Sequence, residues 1–508
     1  MSDWTSGYVA EIGYTYGYYS LLNPLHMRLA FLARGLALPK VGNACELGFG
    51  QGVSANMHAA AGTADWYGTD FNPSQAAFAQ ELAEASGSSA KLYDQSFEEF
   101  CMRDDLPEFD YIGMHGIWSW ISHENRSVIV DFIRRKLKVG GVLYTSYNTQ
   151  PGWSAMGPLR DLLTEHTKVM GVPGDKITNR IEGALEFADK LMDVNPTYAV
   201  ANPQLKAKIE ELKGKDRSYL AHEYFNSDWL PMSFAKVSEW LTPAKLQFAC
   251  SALYLDHVDS VNLTSEQQKL LNEVPDATFR EMTRDMITNQ NFRRDYWVKG
   301  ARTLNGVEQA EALRKECIIS LQPAADVSLT VIGSLGEASM QEDAYRAVLD
   351  VLDSRQVVSL GELEEAVAST LSELLEIVMV LAHTGVIHSA NSEADSVVVK
   401  EKTDALNGYL MNKARSSADV NWLVSPVTGG GVAIGRFHQL FLLAISQGLE
   451  QPEQWASFAW DVLASQGQRL SKEGKTLATA EENLAELTSV GVKFAEKRLP
   501  KLKALKLL

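Results

Sequence analysis

The chain has only four cysteines, Cys45, Cys101, Cys250 and Cys317, with no close pair among them. That excludes a disulfide framework or a cysteine-built zinc site, and it points to a reducing compartment. Long apolar runs are also missing. Nowhere do about 18 apolar residues follow one another, so neither a transmembrane helix nor membrane insertion is expected. The opening residues Met1-Ser2-Asp3-Trp4-Thr5 offer no basic stretch and no apolar core, so no secretory leader is expected and the cytoplasm is the expected location. Positive charge is scarce: 47 Lys and Arg stand against 64 Asp and Glu, a net charge of −17. Such a field repels a polyanion, so no nucleic-acid partner is expected, whereas a basic protein segment or a small molecule is tolerated. No spacing suggests a metal site.

What is present is an ordinary globular composition, 45% hydrophobic and 22% charged, over 508 residues. That length suits three or four domains of roughly 100–200 residues. Residues 8–24 form a lead-in dense in tyrosine, including Tyr8, Tyr14, Tyr16, Tyr18 and Tyr19. After a helix near 27–37, short apolar strands at 41–47, 66–69, 91–93, 111–114 and 142–146 alternate with helices at 53–61 and 73–86. This alternation predicts a parallel sheet covered on both faces. Beyond 153 the pattern becomes mostly helical. Helices at 343–354, 359–369 and 371–384, followed by strands at 385–388 and 396–400, predict a winged-helix-like unit. The domain reading is therefore an aromatic lid at 1–30 and a Rossmann-like domain at 31–153. A helical insertion at 154–215, a candidate for homodimer formation, follows. Then come a middle domain at 216–325, the winged-helix-like unit at 326–402 and a C-terminal domain at 403–508.

The strongest local signal is Glu46-Leu47-Gly48-Phe49-Gly50-Gln51-Gly52, directly after a strand and before a helix. Glycines allow a tight turn and close approach to a ligand, and the helix N-terminus presents free N–H groups. A dinucleotide binder would place its third glycine at position 53, which is Val53. The alternative is a plain strand-to-helix turn. Eighteen residues past Gly52 comes Asp70, followed by Phe71, at the end of the second strand. An acid there accepts hydrogen bonds from both hydroxyls of a ribose; otherwise it caps the next helix. The third strand ends in Tyr93-Asp94-Gln95-Ser96-Phe97, where Ser96 and Phe97, or else Asp94, are candidates to contact an adenine.

The glycine turn with its preceding acid resembles the first motif of class I methyltransferases. The resemblance sharpens at His115-Gly116-Ile117-Trp118-Ser119-Trp120 and at 140–153. It continues at Tyr219 to Trp229, at Phe292-Arg293-Arg294-Asp295 and at Val424-Ser425-Pro426-Val427-Thr428-Gly429-Gly430-Gly431. These segments are similar to a bacterial group with a methyltransferase regulatory domain, which includes rickettsial protein lysine methyltransferases that act on outer-membrane protein. The resemblance implies an α/β, Rossmann-like class I methyltransferase domain followed by mostly helical domains, and S-adenosyl-L-methionine as cofactor. It assigns Glu46 to the methionine moiety, whose sulfonium and ammonium are cationic, and Asp70 to the ribose. Gly48, Phe49, Gly50, Gln51, Gly52, Phe71, Ser96, Phe97, His115 and Gly116 complete the expected cofactor set.

Methyl transfer is an in-line displacement governed by alignment and desolvation. The end of the fourth strand faces the transferring methyl in this fold, so Trp118 and His115 are candidate catalytic residues, with Tyr16 and Tyr18 closing from the lid. Trp118 and Trp120 either cradle a cation through their faces or simply pack; His115 is either a general base or a hydrogen-bonded structural histidine. The leading expectation is transfer to a protein lysine. A small molecule or surface glycan is the second acceptor class, and a non-catalytic cofactor-binding regulator the third reading.

Overall fold

The structure, a computed structural model, describes residue 13, residues 15–172 and residues 174–508. Tyr8 and Tyr14 of the lead-in lie outside the described residues. The centre is a seven-stranded sheet built from β1 (Asn43–Leu47), β2 (Asp65–Thr69), β3 (Lys91–Tyr93), β4 (Phe109–Met114), β5 (Leu137–Asn148), β6 (Gln247–Ser251) and β7 (Phe292–Val298). Their spatial order is β3-β2-β1-β4-β5-β7-β6. Neighbours from β3 through β5 pair in parallel, while β7 lies antiparallel between β5 and β6.

Helix ends follow local capping chemistry. α1 (Pro24–Ala33) and α3 (Pro73–Ser86) each begin with a proline after an asparagine whose side chain accepts a backbone N–H, and α3 stops at left-handed Gly87. α2 (Val53–Ala61) follows the glycine turn, with Gly52 at φ +68°. α4 (Phe97–Cys101) starts with a reciprocal capping box between Ser96 and Glu99. α5 (His123–Lys136) has Glu124 in its first turn and Arg134, Arg135 and Lys136 in its last, matching the helix dipole at both ends.

The sheet does not stop near residue 153, where the alternation of strands and helices in the sequence ends. After β5 the chain leaves through α6 (Gly157–Val169), α7 (Ile177–Asp193), α8 (Thr197–Ala201), α9 (Leu205–Lys213) and α10 (Arg217–Tyr224), then returns to add β6 and β7. Sequence pattern misses those strands because both lie within mostly helical sequence. In β7, buried Arg293 pairs with Glu281 (2.9 Å), Asp285 (2.6 Å) and Asp295 (2.9 Å), and the Tyr147 hydroxyl of β5 donates to Asp295 (2.7 Å). Buried charge of this kind persists only when paired.

In the winged-helix-like unit the helices run Glu342–Ser354, Leu360–Val367 and Leu371–His383. Its sheet places Cys317–Ser320 between Val357–Ser359 and Ile387–Ala390, antiparallel to both. The strand expected at 396–400 is instead part of the helix Glu393–Lys413, which Ser392 caps by accepting the Asp395 N–H. Val397-Val398-Val399 reads as β-branched sequence, yet Val399, Thr403, Leu406 and Leu410 are buried at helical spacing while Val397 and Val398 face outward. Tertiary burial overrides the local preference. Among the described residues, no single helix is long and apolar enough to cross a membrane.

Candidate active site

A cavity of about 340 Å³ opens at the C-terminal ends of β1, β2, β3 and β4. Between β1 and β4 the strand order reverses, and the loops leaving the two strands diverge to form a crevice. Four loops line it: the glycine turn after β1, Asp70 and Phe71 after β2, Gln95 to Glu98 after β3, and His115, Gly116 and Ile117 after β4. Thr15, Gly17 and Tyr19 cover one side. Trp120, Ile121, Ser122 and Asn125 from β4 into α5, with His222, Glu223, Asn226 and Asp228 from α10 and the segment after it, close the other.

The glycine turn is shaped by sterics. Gly48 sits at φ +72°, and a Cβ there would run into Ile117; at Gly52, a Cβ would run into Ala79 of α3. Inside the turn, Asp70 accepts the N–H groups of Gly50 (2.9 Å) and Asn72 (3.0 Å). Burial still pushes its carboxyl up to about 6. Glu46 is 3% exposed, and its Oε2 has no hydrogen-bond partner among the described residues. Burial, with the Asp70 charge adding to it, lifts the Glu46 carboxyl to about 8. An orphaned carboxylate oxygen in a buried wall is a place for a cation or an N–H donor.

His115 lines the cavity with its Nδ1 2.7 Å from the Tyr144 hydroxyl and its ring stacked on Tyr19, centroids 4.0 Å apart. Burial, with Arg294 adding to it, pulls the imidazole down to about 3, so it is neutral and a poor proton acceptor at neutral pH. Three of the four candidate catalytic residues are not brought to the cavity. Trp118 is fully buried against Trp240, and its carbonyl accepts the Arg126 Nε–H (3.0 Å). Tyr16 packs edge-on against Phe78 at 5.2 Å, and Tyr18 is buried beside His58 and Trp422. Trp120 and Tyr19 line the wall in their stead. Gly52 shapes the turn without lining the cavity. Of the third-strand candidates, Ser96 and Phe97 line it and Asp94 does not, although the Ser96 hydroxyl is engaged with Glu99. Sequence reasoning does not find Asn226 and the acids Glu223 and Asp228 as site residues. The aromatic segment holding them stands out in the sequence, but no spacing ties it to the glycine turn.

A family model described as "Methyltransferase domain" matches residues 44–141, and one described as "Predicted methyltransferase regulatory domain" matches residues 216–299. An uncharacterized protein of Synechocystis is 41% identical over 505 residues, spanning 98% of both chains. The chain belongs to the class I, S-adenosylmethionine-dependent methyltransferases that carry this regulatory domain. An uncharacterized Rickettsia prowazekii protein is 28% identical over 293 residues, 56% of this chain and 51% of that one. By fold, the methyltransferase is similar to PKMT2 from Rickettsia typhi in complex with AdoHcy, with a TM-score of 0.69 at 17% identity, covering 95% of this chain and 98% of that chain. In this methyltransferase the regulatory-domain match supplies both the last two strands of the sheet and the Glu223 to Asp228 wall of the cavity.

Proposed function

We propose that the enzyme transfers the methyl group of S-adenosylmethionine to a lysine amine of a protein. The observation that carries this reading is the charge of the cavity. Five acidic side chains line it, Glu46, Asp70, Glu98, Glu223 and Asp228, and no Lys or Arg does among the described residues. Two of them suit the cofactor: Glu46, with its unpartnered oxygen, would hold the ammonium, and Asp70 would accept from the ribose hydroxyls. Phe97 with Gln95 and Ser96 would border the adenine, and the backbone of Gly48, Phe49, Gly50 and Gln51 would meet the methionine chain. Bound there, the cofactor supplies an electrophilic methyl group on a sulfonium.

Glu98 borders the adenine side, while Glu223 and Asp228 stand toward α10, where they attract an ammonium. Tyr19 stacked on neutral His115, with Trp120 across the cavity, offers aromatic surfaces that would lower the pKa of an amine by desolvation, and only the neutral amine is a nucleophile. The aromatic faces also suit a cationic carbon centre in transit. The net charge of −17 steers a basic segment toward the protein, and the resemblance to rickettsial protein lysine methyltransferases agrees. With labelled cofactor and a cell extract, label should remain on protein after base treatment and be recovered as methyllysine on hydrolysis. Label found wholly in protease-resistant small molecules or glycans overturns the reading.

A further inference from the structure

The segment 15–19 crosses the mouth of the cavity with its side chains divided by parity. Thr15, Gly17 and Tyr19 line the cavity, while Tyr16 and Tyr18 point away from it. Extended backbone places alternate side chains on opposite faces, and Tyr19 itself is extended at φ −118° and ψ 98°. On the outer face Tyr18 is buried, its hydroxyl 3.1 Å from His58 Nε2 of α2 and its ring 5.2 Å from Trp422. Trp422 belongs to a hairpin of the C-terminal region, made by Trp422–Ser425 and Gly430–Ala433.

The glycines of that hairpin make room for this contact. A Cβ on Gly430 would strike the Tyr18 hydroxyl, and one on Gly431 would come within 2.9 Å of its ring and 2.8 Å of Met57. Asn23 ties the same junction by donating to the carbonyls of Thr428 (3.2 Å) and Gly429 (3.1 Å). On the inner face, the Tyr19 N–H donates to Ser54 Oγ (2.8 Å), one residue into the helix that follows the glycine turn. The Tyr19 ring folds back over Gly17 and stacks on His115.

We propose that Tyr18 is a positioning residue: seated in the C-terminal hairpin, it holds the 15–19 strap over the cofactor end of the cavity, so that the C-terminal domain sets how tightly and how long the cofactor is held. This rests on the cavity being the S-adenosylmethionine site. If removing the anchor leaves the strap in place about one tenth of the time, apparent affinity falls about tenfold.

The test uses the full chain and S-adenosylhomocysteine as the probe, with Kd and dissociation rate measured. Tyr18→Ala should raise Kd about tenfold through faster dissociation, and Tyr18→Phe, which keeps the ring, should restore most of it. Trp422→Ala, a change wholly within the C-terminal domain, should move Kd in the same direction. In the unaltered enzyme, the saturating probe should slow amide exchange both in 15–19 and in 422–433. Asp70→Ala serves as the control. Lost binding in Asp70→Ala with Kd unchanged in folded Tyr18→Ala and Trp422→Ala overturns the strap. If all three bind as the parent does, the cavity is not the cofactor site and the proposal falls with that reading. Should Tyr18→Ala not fold, Trp422→Ala and the exchange measurement decide, and protection of 15–19 without protection of 422–433 counts against it.

Discussion

An ionised Glu46 carries an electrostatic cost that a proton or a bound cation relieves. Its carboxyl, ordinarily near 4.5, is lifted to about 8 by burial and by Asp70. Between those values the folded protein holds a proton that the unfolded chain has released, so stability of the cofactor-free enzyme falls as pH rises through this window. Glu46→Gln removes the titration. At pH 8 the variant should be more stable than the parent by several kcal/mol, since each tenfold change in proton affinity on folding is worth about 1.4 kcal/mol and the carboxyl moves by more than three such steps. The gain should shrink toward pH 5, and calorimetry should show cofactor binding lost at both. Thermal melts at the two pH values check the sign: equal stability at pH 8 would mean that Glu46 is not held protonated. At this scale Glu46 and Asp70 are legible in the sequence because each sits at a fixed distance from the glycine turn along a strand. Trp118 and Trp120 are not separable there, because they share one 3₁₀ turn and are both buried, and only the fold shows that Trp118 packs on Trp240 while Trp120 lines the cavity. Likewise the lid tyrosines are legible as a group, whereas the parity that puts Tyr19 inside and Tyr16 and Tyr18 outside follows from where the strap meets α2.

Elements with strong caps can be read from sequence to the residue: α2 and α3 begin and end where a glycine turn and an Asn-Pro pair dictate. Elements defined by distant partners cannot. β7 becomes a strand because β5 offers it an edge, β6 because β7 then offers it one, and the valines at 397–399 are helical because one side of that helix is buried. The same reasoning bears on the Leu371–His383 helix, which occupies the place where a winged helix reads DNA. Leu374, Ile377, Val378, Met379, Val380 and Leu381 are buried, and the helix carries Glu373 and Glu376 but no Lys or Arg. A groove-reading helix needs donors for phosphates and base edges. No salt-dependent DNA binding is therefore expected at micromolar protein; a mobility shift that weakens steeply with salt would contradict this.

On the scale of the whole molecule, the Rossmann-like sheet is not self-sufficient. All nine residues of α2 are buried, although a surface helix of such a sheet ordinarily keeps a polar face to solvent. The reason lies in the C-terminal region. Tyr18, Val53, Met57 and Leu82 belong to the same apolar cluster as Leu406, Leu410, Leu423 and Val432, and the hydroxyl of Tyr409 donates to Glu81 on α3. The helix that follows the cofactor turn is thus sandwiched between the sheet and a domain more than 300 residues later in the chain. Exposing four large apolar side chains costs about 1.5–3 kcal/mol each, which approaches the whole stability of a domain, about 5–15 kcal/mol. A chain ended at Asn391 should therefore not give a folded methyltransferase, even though every strand of the sheet lies before that point. Co-expression with the segment 392–508 as a separate chain should restore solubility and cofactor binding, because the contact is made by packing and needs no covalent link. A soluble, cooperatively melting chain ended at Asn391 that binds S-adenosylhomocysteine with the affinity of the intact enzyme would show that the C-terminal region is an appendage to the sheet.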